Sequence, residues 1–486
     1  MYDTIVIGAG IAGIAVALRL RKNGHNVLVL ERNAYVGGKM NEHHSMGYRW
    51  DTGPSLFTMP NLVDELYALY GRNPADYYQY QQEEEACRYF FYNSLPLHFY
   101  TNRSKLKEEL VEKLGVDGKP LDYYLDQSAE KYNQIGKFFL EHPIHKFDQL
   151  PWKKLFRLLP QFFKSNLFAS LHQLNTRRLR HPKLVQIFDR YATYNGSNPY
   201  QASGILSMIP HLEQNIGTFF PTQGMYSIVG GLYQLAQEVG VKFRLGTEVE
   251  CCKKIKGGYE ISADQSYQTK RVISAIDCLA FYQYILKDKS LTKRYKRQER
   301  SSSALIFYWG IRKQFPQLGL HNIFFSKDYK HEFKLIFENK QIPLEGTIYV
   351  HISSKANQND APVGAENWFV MLNLPAGISL SKLDQQEIKE TLITRLEEML
   401  ETKISDYIQT EKVWTPKGIE LDTGAIEGAL YGASSNKKMA ALSRHPNYSK
   451  SYPKIYFCGG TVHPGGGIPL SLQSAKIVAQ LIANES

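Results

Sequence analysis

Apolar and polar positions change period several times along this chain. Residues 2–7 end in the apolar run Ile5-Val6-Ile7, which predicts a short buried strand. A Gly-rich turn follows, then an apolar helix over residues 11–23. Gly24-His25 turns the chain into a second strand at 26–30, so the first 30 residues predict a βαβ unit with parallel strands. From about 60 to 220 the pattern predicts mostly helix, rich in Tyr, Lys and Gln. It changes again near Gly224: a helix over 227–239 leads to a strand at 242–245. Further strands are predicted at 258–262, 271–275, 304–309, 347–352 and 368–374. Apolar residues at 388, 392, 396, 399 and 400 predict an amphipathic helix over 383–400. The last 35 residues predict a strand at 454–458, a Gly-rich loop and a closing helix to about 483.

This order predicts two interleaved parts. Residues 1–75, 222–285 and 435–486 form a nucleotide domain, and residues 76–221 and 286–434 form a substrate domain with the membrane contact. There are no internal repeats.

Composition narrows the class. The chain has 486 residues, 43% hydrophobic and 22% charged, as in a globular protein with a large core. The 32 Tyr and 24 Phe predict a large aromatic core or a wide apolar cavity. The formal net charge of +11 favours anionic partners. No zinc finger, RNA-recognition signature or Arg-rich tail is present, so nucleic acid is excluded as the expected partner. Five Cys without a C-x-x-C fit a reducing compartment and small buried hydrophobes. Met1 leads directly into the first strand, so no signal peptide is expected. No run of 18 uncharged apolar residues offers a membrane-spanning helix.

Gly8-x-Gly10-x-x-Gly13 lies between a strand and a helix, the context a dinucleotide fingerprint needs. Gly8 permits the tight turn, Gly10 lets backbone approach a pyrophosphate, and Gly13 lets the helix pack on the sheet. The helix N-terminus, with Ile11 and Ala12, then faces negative charge. Glu31 ends the second strand, 18 residues after Gly13, where a carboxylate accepts from ribose hydroxyls and repels a 2′-phosphate. Gly37-Gly38-Lys39 follows, with Lys39 placed to reach phosphate. No second G-x-G-x-x-G follows a strand, so no NAD(P) site is expected. Electrons must then leave to oxygen, a quinone or another acceptor. The paired elements resemble the extended fingerprint of FAD-binding oxidoreductases. The implied fold class is α/β: an FAD-binding Rossmann-like domain of the glutathione-reductase type, interleaved with a mixed helical and β-sheet substrate domain.

A more specific resemblance covers essentially the whole chain. Trp50-Asp51-Thr52-Gly53-Pro54-Ser55-Leu56-Phe57-Thr58-Met59-Pro60 resembles a hallmark of the bacterial-type phytoene desaturase family, the flavin-dependent carotenoid desaturases and isomerases. Phe220-Pro221-x-x-Gly224-Met225 is similar to that family's return to the nucleotide domain. Val272-Ile273-Ser274-Ala275-Ile276-Asp277 resembles its V-S-N-A-D strand end, with Ala and Ile in place of Asn-Ala. His463-Pro464-Gly465-x-Gly467-Ile468-Pro469 is similar to its C-terminal flavin loop. The resemblance implies FAD contacts at Gly8, Gly10, Ile11, Ala12, Gly13, Glu31, Arg32, Gly38 and Lys39. It also implies contacts at Thr52, Gly53, Pro54 and Ser55, and at Val249 through its backbone. Gly459, Gly460, Gly467, Ile468 and Pro469 would lie along the ribityl chain and isoalloxazine. Gly-Gly-Thr-Val-His-Pro-Gly-Gly-Gly-Ile-Pro-Leu at 459–470 is most like the 1-hydroxycarotenoid 3,4-desaturase subgroup. The expected substrate is therefore a 1-hydroxylated acyclic or monocyclic carotenoid.

No catalytic triad or metal constellation stands out, and His43-His44 lacks a partner set. His463 is a candidate to orient the flavin ring or a substrate hydroxyl; the alternative is a loop-bracing histidine. Allylic C–H bonds are too weakly acidic for a side-chain base. Hydride transfer to flavin N5, then proton loss from a polyene-stabilised cation, is the expected chemistry, with no strong base demanded.

Residues 149–188 contain no Asp or Glu, and carry Lys153, Lys154, Arg157, Lys164, Arg177, Arg178, Arg180 and Lys183. Trp152, Leu155, Phe156, Leu159, Phe163 and Leu167 interleave at helical spacing, with Pro160 as a kink or break. This predicts a basic amphipathic element on an acidic membrane surface, hence a cytoplasmic protein peripherally associated with the cytoplasmic membrane. Other readings stay open: a phytoene or diapophytoene desaturase, a carotenoid isomerase, or a lipid-binding escort on the same fold. The Trp50–Pro60 and His463–Pro469 segments argue against an amine or protoporphyrinogen oxidase.

Overall fold

The computed structural model describes residues 1–164 and 166–485. Tyr2–Ile7 lies inside a seven-stranded sheet. It runs parallel to Ser266–Ser274 on one side and to Val27–Leu30 on the other, and Lys242–Arg244 extends the parallel set. Ile455–Phe457 pairs in parallel with residues 272–274, so the C-terminal strand joins the sheet two places from the N-terminal one. Cys251–Ile255 and Gly258–Ser262 form an antiparallel meander against the start of Ser266–Ser274.

Alternation along the first strand divides two cores. Val6 packs with the helices Ile11–Lys22, Tyr226–Glu238 and Ile468–Ala483. Ile5 and Ile7 face the opposite side, against Phe281, Tyr282 and Phe457. Burial on both faces explains why this strand reads as an apolar run.

A second sheet has the order Ile408–Trp414, Ser303–Ile311, Glu366–Leu374, Ile348–Ile352, His321–Phe324, Glu85–Phe90, Leu97–Tyr100. Helix Lys382–Leu400 covers one face through Ile388, Leu392, Leu396 and Leu400, which meet Leu305, Phe307 and Trp309. Ile306, Phe369 and Met371 belong to the opposite face and to the cavity described below.

The expectation of mostly helix over 60–220 holds, but the short strands Tyr80–Gln82, Glu85–Phe90 and Leu97–Tyr100 lie within that span. Glu85–Phe90 is held by His321–Phe324, a partner more than two hundred residues downstream. Local periodicity carries no trace of such a partner.

The basic element folds as helices Trp152–Lys164, Leu171–Leu179 and Pro182–Asp189, with Pro160 inside the first rather than ending it. Trp152 and Phe156 are 44% and 65% exposed. Lys153, Arg157, Arg177, Arg178 and Arg180 are exposed, while Leu155 and Leu167 are half-buried. Lys183 instead turns onto the fold, 2.6 Å from Ser94 Oγ and over the Phe91 ring. The side chains of Lys154, Leu159, Phe163 and Lys164 lie outside the described residues. Among the described residues no helix is long and apolar enough to cross a membrane.

Candidate active site

Both ends of the chain close on one cavity of about 860 Å³. The helices Ile11–Lys22 and Ile468–Ala483 begin at its wall, and neither N-terminus carries a side-chain cap. Uncapped N–H groups and two helix dipoles therefore bring positive potential to the same space. Cys458 Sγ lies 3.7 Å from the Ala12 carbonyl, which ties the C-terminal loop to the first helix.

Every expected flavin contact lines this cavity except Gly13. The glycines differ in why they are glycine. A Cβ on Gly13 would stand 2.0 Å from the Gly8 carbonyl oxygen, so Gly13 serves helix–sheet contact behind the wall. A Cβ on Gly10 would meet nothing nearer than the Gly37 oxygen at 3.9 Å. Protein packing does not require glycine there, and the space beside it is open to the cavity.

The Glu31 carboxylate accepts from the Ala9 nitrogen at 2.7 Å and the Asn33 nitrogen at 2.9 Å. Arg32 donates to the Leu421 carbonyl, and Asn33 to that of Asp422, which draws helix Pro416–Thr423 beside the nucleotide strands. The Lys39 ammonium donates to the carbonyls of Leu430 and Ala429, at 2.5 and 3.3 Å. Burial beside these neutral acceptors lowers its pKa to about 8.

Thr52 to Ser55 carry the wall from the nucleotide sheet toward the second sheet. The Thr52 carbonyl accepts from Tyr308 Oη at 2.9 Å. Ser55 Oγ lies 2.6 Å from Tyr349 Oη, which lies 2.8 Å from His321 Nδ1. Beyond them the cavity is walled by Tyr132, Phe139, Met208, Phe369 and Met371. Sequence reasoning expected a wide apolar space but missed two buried arginines in its wall, Arg190 and Arg444. Arg444 binds the carbonyls of Tyr431, Ala433 and Gly460. Burial among neutral oxygens lowers its pKa to about 10. Its position, just before the last strand, gave no motif.

The His463 ring faces away from the cavity. It is not among the lining residues, although its neighbours Pro464 and Gly465 are. The ring is wholly buried, with Nε2 3.0 Å from the His142 carbonyl, and packs edge-on against Phe139 and His145. Burial pulls its pKa down to about 3, so it is neutral. It braces the C-terminal loop and does not face the cavity. His43 stacks on Trp50, and no metal-holding cluster occurs among the described residues.

A cavity clasped by both chain ends, with two bare helix N-termini on a parallel sheet, suits a dinucleotide. The sequence profile of the flavin containing amine oxidoreductase family matches residues 11–483, and the chain belongs to that family. Over its whole length it is 42% identical to a 1-hydroxycarotenoid 3,4-desaturase of Flavobacterium sp. (strain P99-3), covering 99% of that protein. It is 29% identical to a 4,4'-diaponeurosporene oxygenase of Staphylococcus aureus (strain MSSA476), over 98% of this chain and 97% of the other. Among solved structures, a putrescine oxidase triple mutant matches 100% of this chain and 99% of its own, with TM-score 0.66 and 16% identity. Cyclohexylamine oxidase from Brevibacterium oxydans IH-35A matches over the same shares, with TM-score 0.63 and 14% identity. These two show the fold. The cofactor is FAD, and the space at Gly10 with the uncapped helix starts fits its pyrophosphate.

Proposed function

We propose that this chain is an FAD-dependent carotenoid desaturase that forms a 3,4 double bond in a 1-hydroxylated acyclic or monocyclic carotenoid. The observation that carries this reading is the single cavity, which runs from a dinucleotide clasp into a chamber walled by Tyr132, Phe139, Met208, Phe369 and Met371. A long hydrocarbon matches such walls, and the whole-length similarity to the Flavobacterium desaturase supports the same substrate class.

Gly8, Gly10, Ile11, Ala12 and Lys39 would hold the pyrophosphate, and Glu31 with Arg32 the ribose end. Val249 would meet the adenine. Gly38 and Thr52 to Ser55 would border the flavin, with Gly459, Gly460, Gly467, Ile468 and Pro469 on its other side. Bound FAD supplies the two-electron oxidant for the C–H bond. The chain's own work is to align the polyene and exclude water, which the aromatic walls do. No ionised base is required, in keeping with the neutral, inward-turned His463. The nucleotide part would comprise 1–75, 222–285 and 435–486, and the substrate part 76–221 and 286–434.

Helix Trp152–Lys164 would lie on an acidic membrane surface at the cytoplasmic side, with Trp152 and Phe156 inserted. Phe139, Leu140 and Leu167 flank this helix in sequence and line the cavity, so the substrate would enter from the lipid beside it. Oxygen or a quinone would take the electrons. The test is expression in cells that accumulate 1-hydroxylated carotenoids, beside cells that hold only phytoene. A red-shifted product lacking two hydrogens in the first strain alone is expected; conversion of phytoene instead would refute the 3,4 assignment.

A further inference from the structure

Many buried polar atoms in this protein lack a partner, but few belong to residues that line the cavity. Among the described residues those few are Arg190 Nε, Asn195 Oδ1 and Tyr329 Oη. All three are remote in sequence from the dinucleotide clasp. Arg190 and Asn195 stand on the one turn Arg190–Asn195 that follows helix Pro182–Asp189. Tyr329 packs edge-on against Phe325, which stacks on Tyr89, and Tyr89 stacks against the Arg190 guanidinium.

Arg190 is 7% exposed. Its Nη2 donates to Tyr89 Oη at 2.9 Å and Tyr194 Oη at 3.2 Å. Nη1 has no hydrogen-bond partner among the described residues, and no carboxylate lies within ion-pair distance. The cation is stabilised by the rings of Tyr89, Tyr191 and Tyr194, at 5.4, 5.8 and 5.1 Å. Glu213 balances the charge at one remove, accepting from the hydroxyls of Tyr191 and Tyr194. Burying a guanidinium with unfilled donors in an apolar chamber is costly unless a ligand fills them. Arg444, the other buried arginine of the wall, differs: its guanidinium is already bound to protein oxygens.

We propose that Arg190, through its unbonded Nη1, forms a hydroxyl-binding site in the cavity wall, which anchors the terminal tertiary alcohol of the substrate. This rests on the desaturase reading above. A guanidinium only donates, so the ligand atom must accept. An alcohol oxygen does so, whereas a hydrocarbon end would leave Arg190 unfilled. The site fixes which end of a long chain enters first and thus which bond reaches the oxidant.

The test is a binding titration of the FAD-loaded protein, followed by quenching of protein fluorescence. The ligands are a 1-hydroxylated carotenoid and the carotene of the same length without the hydroxyl. The wild type should bind the alcohol about 10- to 100-fold more tightly, the range for a hydrogen bond to a charged group. Arg190→Gln should erase that preference at unchanged FAD content, and Arg190→Lys should keep part of it. Equal binding of both ligands by the wild type overturns this inference alone, whether or not a variant folds. A preference that survives in Arg190→Gln overturns it too. A wild-type protein that binds neither ligand overturns the carotenoid reading itself.

Discussion

The carboxylate of Asp51 accepts a hydrogen bond from the backbone nitrogen of Met225 at 2.9 Å. It also accepts from the Tyr226 nitrogen at 3.0 Å and pairs with Arg49 at 2.8 Å. Helix Tyr226–Glu238 has no side-chain cap from Met225, so Asp51 supplies the cap from another part of the chain. Two separated sequence motifs are thereby one physical joint.

Asp51→Ala should therefore lower stability by about 3 kcal/mol, since it leaves Arg49 less balanced and the helix uncapped. Urea unfolding checks this. An unchanged midpoint would mean the joint is not structural.

Gly10→Ala and Gly13→Ala should part company. The first adds a Cβ to open space, 3.9 Å from the nearest protein atom, so the flavin-free fold should melt normally while FAD binding is lost. The second drives a Cβ to 2.0 Å from the Gly8 oxygen. It should destabilise the flavin-free fold by about 1–3 kcal/mol or more. Thermal melts with FAD titrations separate the two, and a normal FAD affinity in Gly10→Ala would contradict the assignment.

Lys39 gives a pH signature. Its folded pKa of about 8 lies below the 10.5 of a free lysine. Below pH 8 both folded and unfolded chains hold the proton, and the burial cost is fully present. Between 8 and 10.5 the unfolded chain binds more protons, so the stability of flavin-free protein should rise with pH. Lys39→Met should remove this component. A wild-type profile identical to that of Lys39→Met across this window would contradict it.

Membrane binding is testable at two exposed aromatics. Trp152→Ser with Phe156→Ser should weaken binding to anionic vesicles by at least about tenfold, from the lost apolar burial. Vesicle sedimentation reads this. No binding by the wild type would rule out the interfacial role.

The clasp was legible because its determinants are local. Gly8 to Gly13 sit between a strand and a helix within a single βαβ unit, and Gly459 to Pro469 flank the last strand. The substrate side was less legible. Glu85–Phe90 joins the second sheet through His321–Phe324, far downstream, beside its local hairpin partner Leu97–Tyr100. Asp189-Arg190 reads as an ordinary charged pair, although Asp189 is taken by His172 and Asn175 and leaves Arg190 unmatched. His463 marks the limit of motif reading. Its loop reaches the cavity, but the ring turns to the His142 carbonyl while Pro464 and Gly465 form the wall. Sequence spacing does not encode that rotation.

The most direct test of the central claim is anaerobic mixing of FAD-loaded protein with a 1-hydroxylated carotenoid, with the product analysed by mass. The account predicts bleaching of the oxidised flavin and a product lighter by two hydrogens. A product of unchanged mass, or one that gains oxygen when air is admitted, would contradict it and point to isomerisation or oxygenation.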